Sequence, residues 1–352
     1  MKKISKIMML VVLTVATVFG LNSANAATTT ISANSESTQN LTVTKKVENV
    51  KDAVTNTFTY TITADTNNPA TVTNLPSTMT IAFTNEAPDS NNVATKTGIL
   101  DLSGVTFSKL GDYKFYIAET ASSNASVYPV DNEHNYIIYV SVRNELAADG
   151  KTPTGNLVAT LVSQVKPDEN SAKTDILFET SPLTSLKVSK NVTGNLAEKD
   201  EYFKFKVDIK STTTGSYKIS GQDATVTYKG SSINTSDTYV KGQDNYIYLK
   251  HGQEVTIGLD GTTPQIDAGI EYQIIEQDAT DYATYINGST TNTKTSTLTA
   301  LSNDSTKNVT SFVNHKETAT LTGLFINILP FIVLIVLASV GVYAIRKTAK
   351  SN

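Results

Sequence analysis

The 352-residue chain has no cysteine, no tryptophan and only three histidines. Without cysteine there is no disulfide framework, no thiolate nucleophile and no Cys-ligated zinc. His134, His251 and His315 are scattered, without metal-ligand spacing. No Gly-rich phosphate loop or Ser-His-Asp arrangement is evident either. The expectation is therefore no metal, no cofactor and no turnover enzyme. Positive charge is not in excess: 29 Lys and Arg stand against 33 Asp and Glu, a net of -4. That lacks the clustered basic footprint of nucleic-acid binding. Long helical apolar periodicity is also missing between Ala27 and Lys316.

What is present is strand. "TFTYTITA" and "NYIIYVSVRN" alternate apolar and polar residues, as half-buried strands do. "DNYIYLK" and "EVTIGL" continue the pattern, and turn residues separate the runs. The length suits about two domains. The predicted fold is all-β, two tandem Ig-like β-sandwich domains.

Both ends carry other signals. Lys2, Lys3 and Lys6 precede an apolar run from Ile7 to Leu21, and Ala24-Asn25-Ala26 follows. This pattern predicts a signal peptide over 1–26, with an N-terminal membrane anchor as the alternative. Leu324 to Ile345 is almost wholly apolar, with Asn327 its one strongly polar residue, and is long enough to cross a bilayer core. Arg346, Lys347 and Lys350 make 346–352 a basic tail, which places the body of the chain outside the cell.

A weak internal repeat divides the part between. "LTVTKKV" from Leu41 corresponds to "LKVSKNV" from Leu186, "GDYKFYIAE" to "GIEYQIIE", and "ILFET" to "TSFVN". "SPLTS", Ser181 to Ser185, lies between the copies and is stiffened by Pro182, so the predicted domains are 27–181 and 182–317. With a strand period of two, Lys190 falls on the face of Leu186, Val188 and Val192. Glu276 falls with Tyr272 and Ile274, and Asn314 with Phe312. In the first copy Lys45 falls with Val43 and Val47, and Glu119 with Phe115 and Ile117.

Lysine and glutamate are rarely buried unless paired. An edge strand with its charges in water would fit one copy, and recurrence in both argues against it. A buried structural ion pair is the main alternative to a chemical use. Burial lowers a lysine pKa and makes the neutral, nucleophilic amine accessible. A buried glutamate, its pKa raised, can hydrogen-bond the Asn carbonyl oxygen, polarise it and relay protons to departing ammonia. The product is a Lys–Asn isopeptide bond, formed once per molecule.

These strand motifs, with the signal peptide and the C-terminal span, resemble the Gram-positive backbone pilins of streptococcal T-antigen type. In that family each Ig-like domain carries a Lys–Asn isopeptide bond catalysed by a Glu. The resemblance implies Lys190, Asn314 and catalytic Glu276 in the second domain, and Lys45 with Glu119 in the first. The position of the bonding Asn in the first domain holds Thr180, whose side chain has no carbonyl, so no Lys45–Thr180 bond is expected.

Residues 318–323 include "ATLTG" ahead of the span and tail, an order that resembles a sortase sorting signal. It implies cleavage between Thr322 and Gly323, with Ala319 and Thr320 where the usual Leu-Pro would stand. A permanent single-pass anchor is the alternative. The family's acceptor lysine corresponds to Lys173, with Lys166 as the nearby competitor. The implied partners are a pilin-specific sortase, identical subunits in a covalent homopolymer, minor pilins and peptidoglycan. The implied place is a wall-anchored pilus on a Gram-positive cell, serving adhesion or biofilm formation. A monomeric wall-anchored adhesin or a minor pilin is the other reading.

Overall fold

A computed structural model of the chain describes residues 28–31, 39–165, 174–210, 215–291 and 293–317. Among them the regular structure is all β apart from a single turn of 3-10 helix at Ser305–Lys307. The signal peptide, the sorting motif with Thr322 and Gly323, the apolar span, the basic tail, Lys166 and Lys173 lie outside the described residues.

Alternation builds two β-sandwiches. In the first, an antiparallel sheet runs in the order Thr78–Glu86, Val54–Ala64, Gly111–Ser122, Asn135–Leu146, Pro153–Val165. It is covered by a three-stranded sheet with Asn40–Val47 between Ile176–Thr180 and Ala94–Asp101. In the second, Asn245–Leu249, Phe203–Ile209, Glu271–Gln277 and Thr299–Ala300 form one sheet. The facing seven-stranded sheet is centred on Leu186–Thr193, which lies between Glu254–Ile257 and Val309–His315. Each sandwich closes over its own core: one runs from Ile31 to Phe178, the other from Leu186 to Phe312, and no residue is shared.

The first and last long strands of each sandwich are direct neighbours and run parallel: Asn40–Val47 with Ile176–Thr180, and Leu186–Thr193 with Val309–His315. Parallel neighbours need a crossover connection, and here almost the whole domain is that crossover. Gly194 lets the second pair finish tightly: its φ is +101°, and a Cβ there would lie 2.1 Å from the Lys316 carbonyl oxygen.

The stretch between the sandwiches is bound on both sides. Leu183–Thr184 pairs with Ile266–Asp267, while the Leu183 N–H donates to the Val127 carbonyl of the first sandwich. Nearby, the Asn303 side chain accepts from the Lys51 and Asp52 backbone N–H groups at 3.1 and 3.0 Å. The Asp52 carboxylate takes the Ser302 hydroxyl and the Lys307 ammonium.

Candidate functional site

The repeat places one buried lysine at the same register in each domain. Lys45 stands beside Phe178, and Val47 beside Thr180; Lys190 stands beside Phe312, and Val192 beside Asn314. Thr180 is therefore the first-domain counterpart of Asn314. Both glutamates reach in from the opposite sheet, Glu119 opposite Tyr60 and Glu276 opposite Phe205. Relative exposure is 0 % for Lys45, 1 % for Lys190, 4 % for Glu119, 3 % for Glu276 and 0 % for Asn314, so no charge reaches solvent and the edge-strand alternative fails.

In the second domain the three side chains are joined through one oxygen. Glu276 Oε1 accepts from Lys190 Nζ at 2.6 Å and from Asn314 Nδ2 at 2.8 Å. Burial pulls the Lys190 amine down to about 8, with the Glu276 charge resisting the fall. The Lys190 ammonium also sits over the Phe203 ring, 4.2 Å from its centroid, which holds it inside an apolar wall. The expectation that Glu276 would hold the Asn314 carbonyl oxygen is corrected here. The carboxylate takes the amide nitrogen, and Asn314 Oδ1 accepts from the Thr284 hydroxyl at 3.1 Å. Carboxylate oxygens only accept and an amide NH2 only donates, so this orientation satisfies both.

Thr284 was missed from sequence. It lies on Ala283–Ile286, directly opposite Asn314 in the antiparallel register, and is buried. Its signal was a polar residue on the face it shares with Ile286 in "ATYI". That is the same anomaly that exposed Lys190, but threonine is too common on strands to stand out.

Among the described residues the first domain brings Lys45 and Glu119 together without an electrophile. Nζ lies 2.9 Å from Glu119 Oε2, yet neither atom has a well-aligned hydrogen bond. The Tyr60 hydroxyl is buried there unpartnered as well, where the second domain has the hydroxyl-free Phe205. Burial lowers the Lys45 pKa and raises that of Glu119. Thr180 is buried as expected, but its hydroxyl donates to the Pro129 carbonyl at 2.7 Å rather than toward the pair. Asp131 fastens the edge: its Oδ2 accepts the Glu179 N–H at 2.7 Å and its own N–H donates to Glu119 Oε1 at 3.2 Å. Among the described residues no three His, Asp or Glu side chains converge as metal ligands.

Residues 41–179 match the model of the FctA family, described as a Spy0128-like isopeptide containing domain. That match spans the first sandwich. The second domain, residues 184–316, matches a family described only as a domain of unknown function, DUF7601. No curated protein matches the chain. Among solved structures, it is similar to the major pilin of Streptococcus pyogenes: 22% identity, 80% of this chain, 99% of that chain, TM-score 0.37. The major pilin T-13 of Streptococcus pyogenes aligns at 21% identity over 83% of this chain and 99% of that one, TM-score 0.36. The pilus-presented adhesin Spy0125 aligns at 15% identity over 53% of this chain and 37% of that one, TM-score 0.30.

Proposed function

We propose that this chain is a pilin, the backbone subunit of a covalent pilus, and that it carries an autocatalytic Lys190–Asn314 amide in its second domain. The observation that supports the amide is the single Glu276 oxygen shared by the Lys190 and Asn314 nitrogens. One proton of the Lys190 ammonium passes to Glu276, and the neutral amine attacks Asn314 Cγ. The new C–N bond forms, the amine nitrogen gives a second proton through the same oxygen to Nδ2, and the C–Nδ2 bond breaks. Ammonia leaves and Glu276 is left protonated. The reaction runs once, so the protein is not a turnover enzyme.

The amide would tie the first strand of the domain to its last. By loop-closure reasoning a loop of this size contributes about 5 kcal/mol, native strain aside. Outside the described residues, a pilin-specific sortase would cut between Thr322 and Gly323 and pass Thr322 to Lys173 of the next subunit. The finished fibre, joined by minor pilins, would be attached to peptidoglycan and support adhesion or biofilm formation.

Mass spectrometry of the folded chain tests the internal bond. The intact mass should be lower by one ammonia, and digestion should give a linked Lys190–Asn314 peptide. Full sequence mass in a well-folded chain would sink it. For the fibre, Lys173→Ala should abolish detergent- and boiling-resistant ladders while leaving folded monomer. An unchanged ladder moves the acceptor to Lys166. No ladder from the wild type favours a monomeric wall-anchored adhesin or a minor pilin.

A further inference from the structure

The Thr284 hydroxyl has no part in the bond as described so far, yet it touches a reacting atom. We infer that Thr284 is a catalytic residue of amide formation, the hydrogen-bond donor that stabilises the oxyanion developing on Asn314 Oδ1; this rests on the Lys190–Asn314 bond proposed above. When Lys190 Nζ adds to Cγ, the carbonyl π electrons move onto Oδ1. The Thr284 hydroxyl is already directed at that oxygen, 3.1 Å away, and its alternative acceptor, Glu276 Oε2, is farther at 3.5 Å. Thr284 is 3 % exposed, so no water competes for the oxyanion and the donor acts in a medium of low polarity.

The same hydrogen bond sets which way the carboxamide faces. With Oδ1 held by Thr284, Nδ2 is left to Glu276, the group that must deliver a proton to it. Flipped, the amide would set its oxygen against a carboxylate and carry its leaving nitrogen away from the proton source. Thr284 is placed for this by sheet register alone, opposite Asn314 on the adjacent strand. Among the described residues the group meeting the Thr180 side chain is the Pro129 carbonyl, an acceptor and not a donor.

The test is kinetic. Newly synthesised two-domain chain is captured in denaturant and refolded at time zero. Loss of one ammonia is then followed by intact-mass spectrometry. Thr284→Val should fold but lose ammonia about 10²–10³-fold more slowly, the usual effect of removing one oxyanion donor. Thr284→Ser, which restores the hydroxyl, should come within a few-fold of wild type, a rescue that a merely space-filling role would not give. Thr284→Ala carries the same expectation as valine and decides the matter if the valine variant does not fold. Valine or alanine variants that fold and react at the wild-type rate overturn the role of Thr284 while leaving the bond intact. A folded wild type that never loses ammonia overturns both, and that result is separable because it needs no variant.

Discussion

The two sandwiches hold the same buried lysine and glutamate at the same register and differ in what stands beside them. In the second domain Glu276 is hydrogen-bonded to both Lys190 and Asn314, and Thr284 completes the amide. In the first, Lys45 and Glu119 meet at ion-pair distance with poor alignment, next to an unpartnered Tyr60 hydroxyl and a threonine turned away. A buried charge pair is costly to desolvate and is repaid only by good geometry and further hydrogen bonds. Chemistry can remove that cost by turning the pair into a neutral amide. On the proposed chemistry a buried nucleophile and proton carrier do not suffice: an electrophile and a donor for its oxygen must stand there too.

The largest expected effect separates the domains outright. Glu276→Ala should leave the second domain at full mass and less stable by about 5 kcal/mol, the loop-closure contribution of the lost bond; calorimetry with intact-mass measurement reads both. A Glu276→Ala chain that still loses ammonia would show that another group carries the protons. The reciprocal change is Thr180→Asn, which gives the first domain an electrophile. It should lose a further ammonia and raise the first-domain melting temperature, but more slowly than the second domain reacts, because Pro129 presents an acceptor and not a donor. Equal rates in the two domains would weaken the role given to Thr284.

Next in size is the Lys45–Glu119 pair. Glu119→Ala should destabilise the first domain by about 3–5 kcal/mol, because it leaves Lys45 buried without a counter-charge. Lys45→Met combined with Glu119→Leu should be neutral or stabilising, by up to about 4 kcal/mol, since the charge is removed as well as the pair. Denaturant melts of the single and double variants decide; a double variant weaker than the single would mean the pair is a net source of stability.

The smallest effect is on pH dependence. The folded-state pKa of Lys45 is below its ordinary value of 10.5, so in the alkaline window below 10.5 the unfolded chain binds more protons and stability rises with pH. The folded-state pKa of Glu119 is above its ordinary value of 4.5, so just above 4.5 the folded chain binds more protons and stability falls as pH rises. The pair's contribution should be lowest between the two windows, where both groups are charged. Comparing wild type with the Lys45→Met, Glu119→Leu variant across pH should show a difference that shrinks toward both extremes. A difference largest at the extremes would reverse the sign.

Much of this was legible in the sequence because strands repeat every two residues. That period put Lys45, Glu119, Lys190, Glu276 and Asn314 on buried faces; that Thr180 forms no bond is an expectation from its chemistry, since a hydroxyl carries no acyl group. What sequence could not reach were relations across strands. Opposite which residue Thr284 stands, which Glu276 oxygen serves both nitrogens, and that Thr180 gives its hydroxyl to Pro129 depend on register and on the approach of one sheet to the other. Alternation along a strand is local and is written in the order of residues. Which strands become neighbours, and which atoms then face each other, is fixed only when two sheets close on a common core.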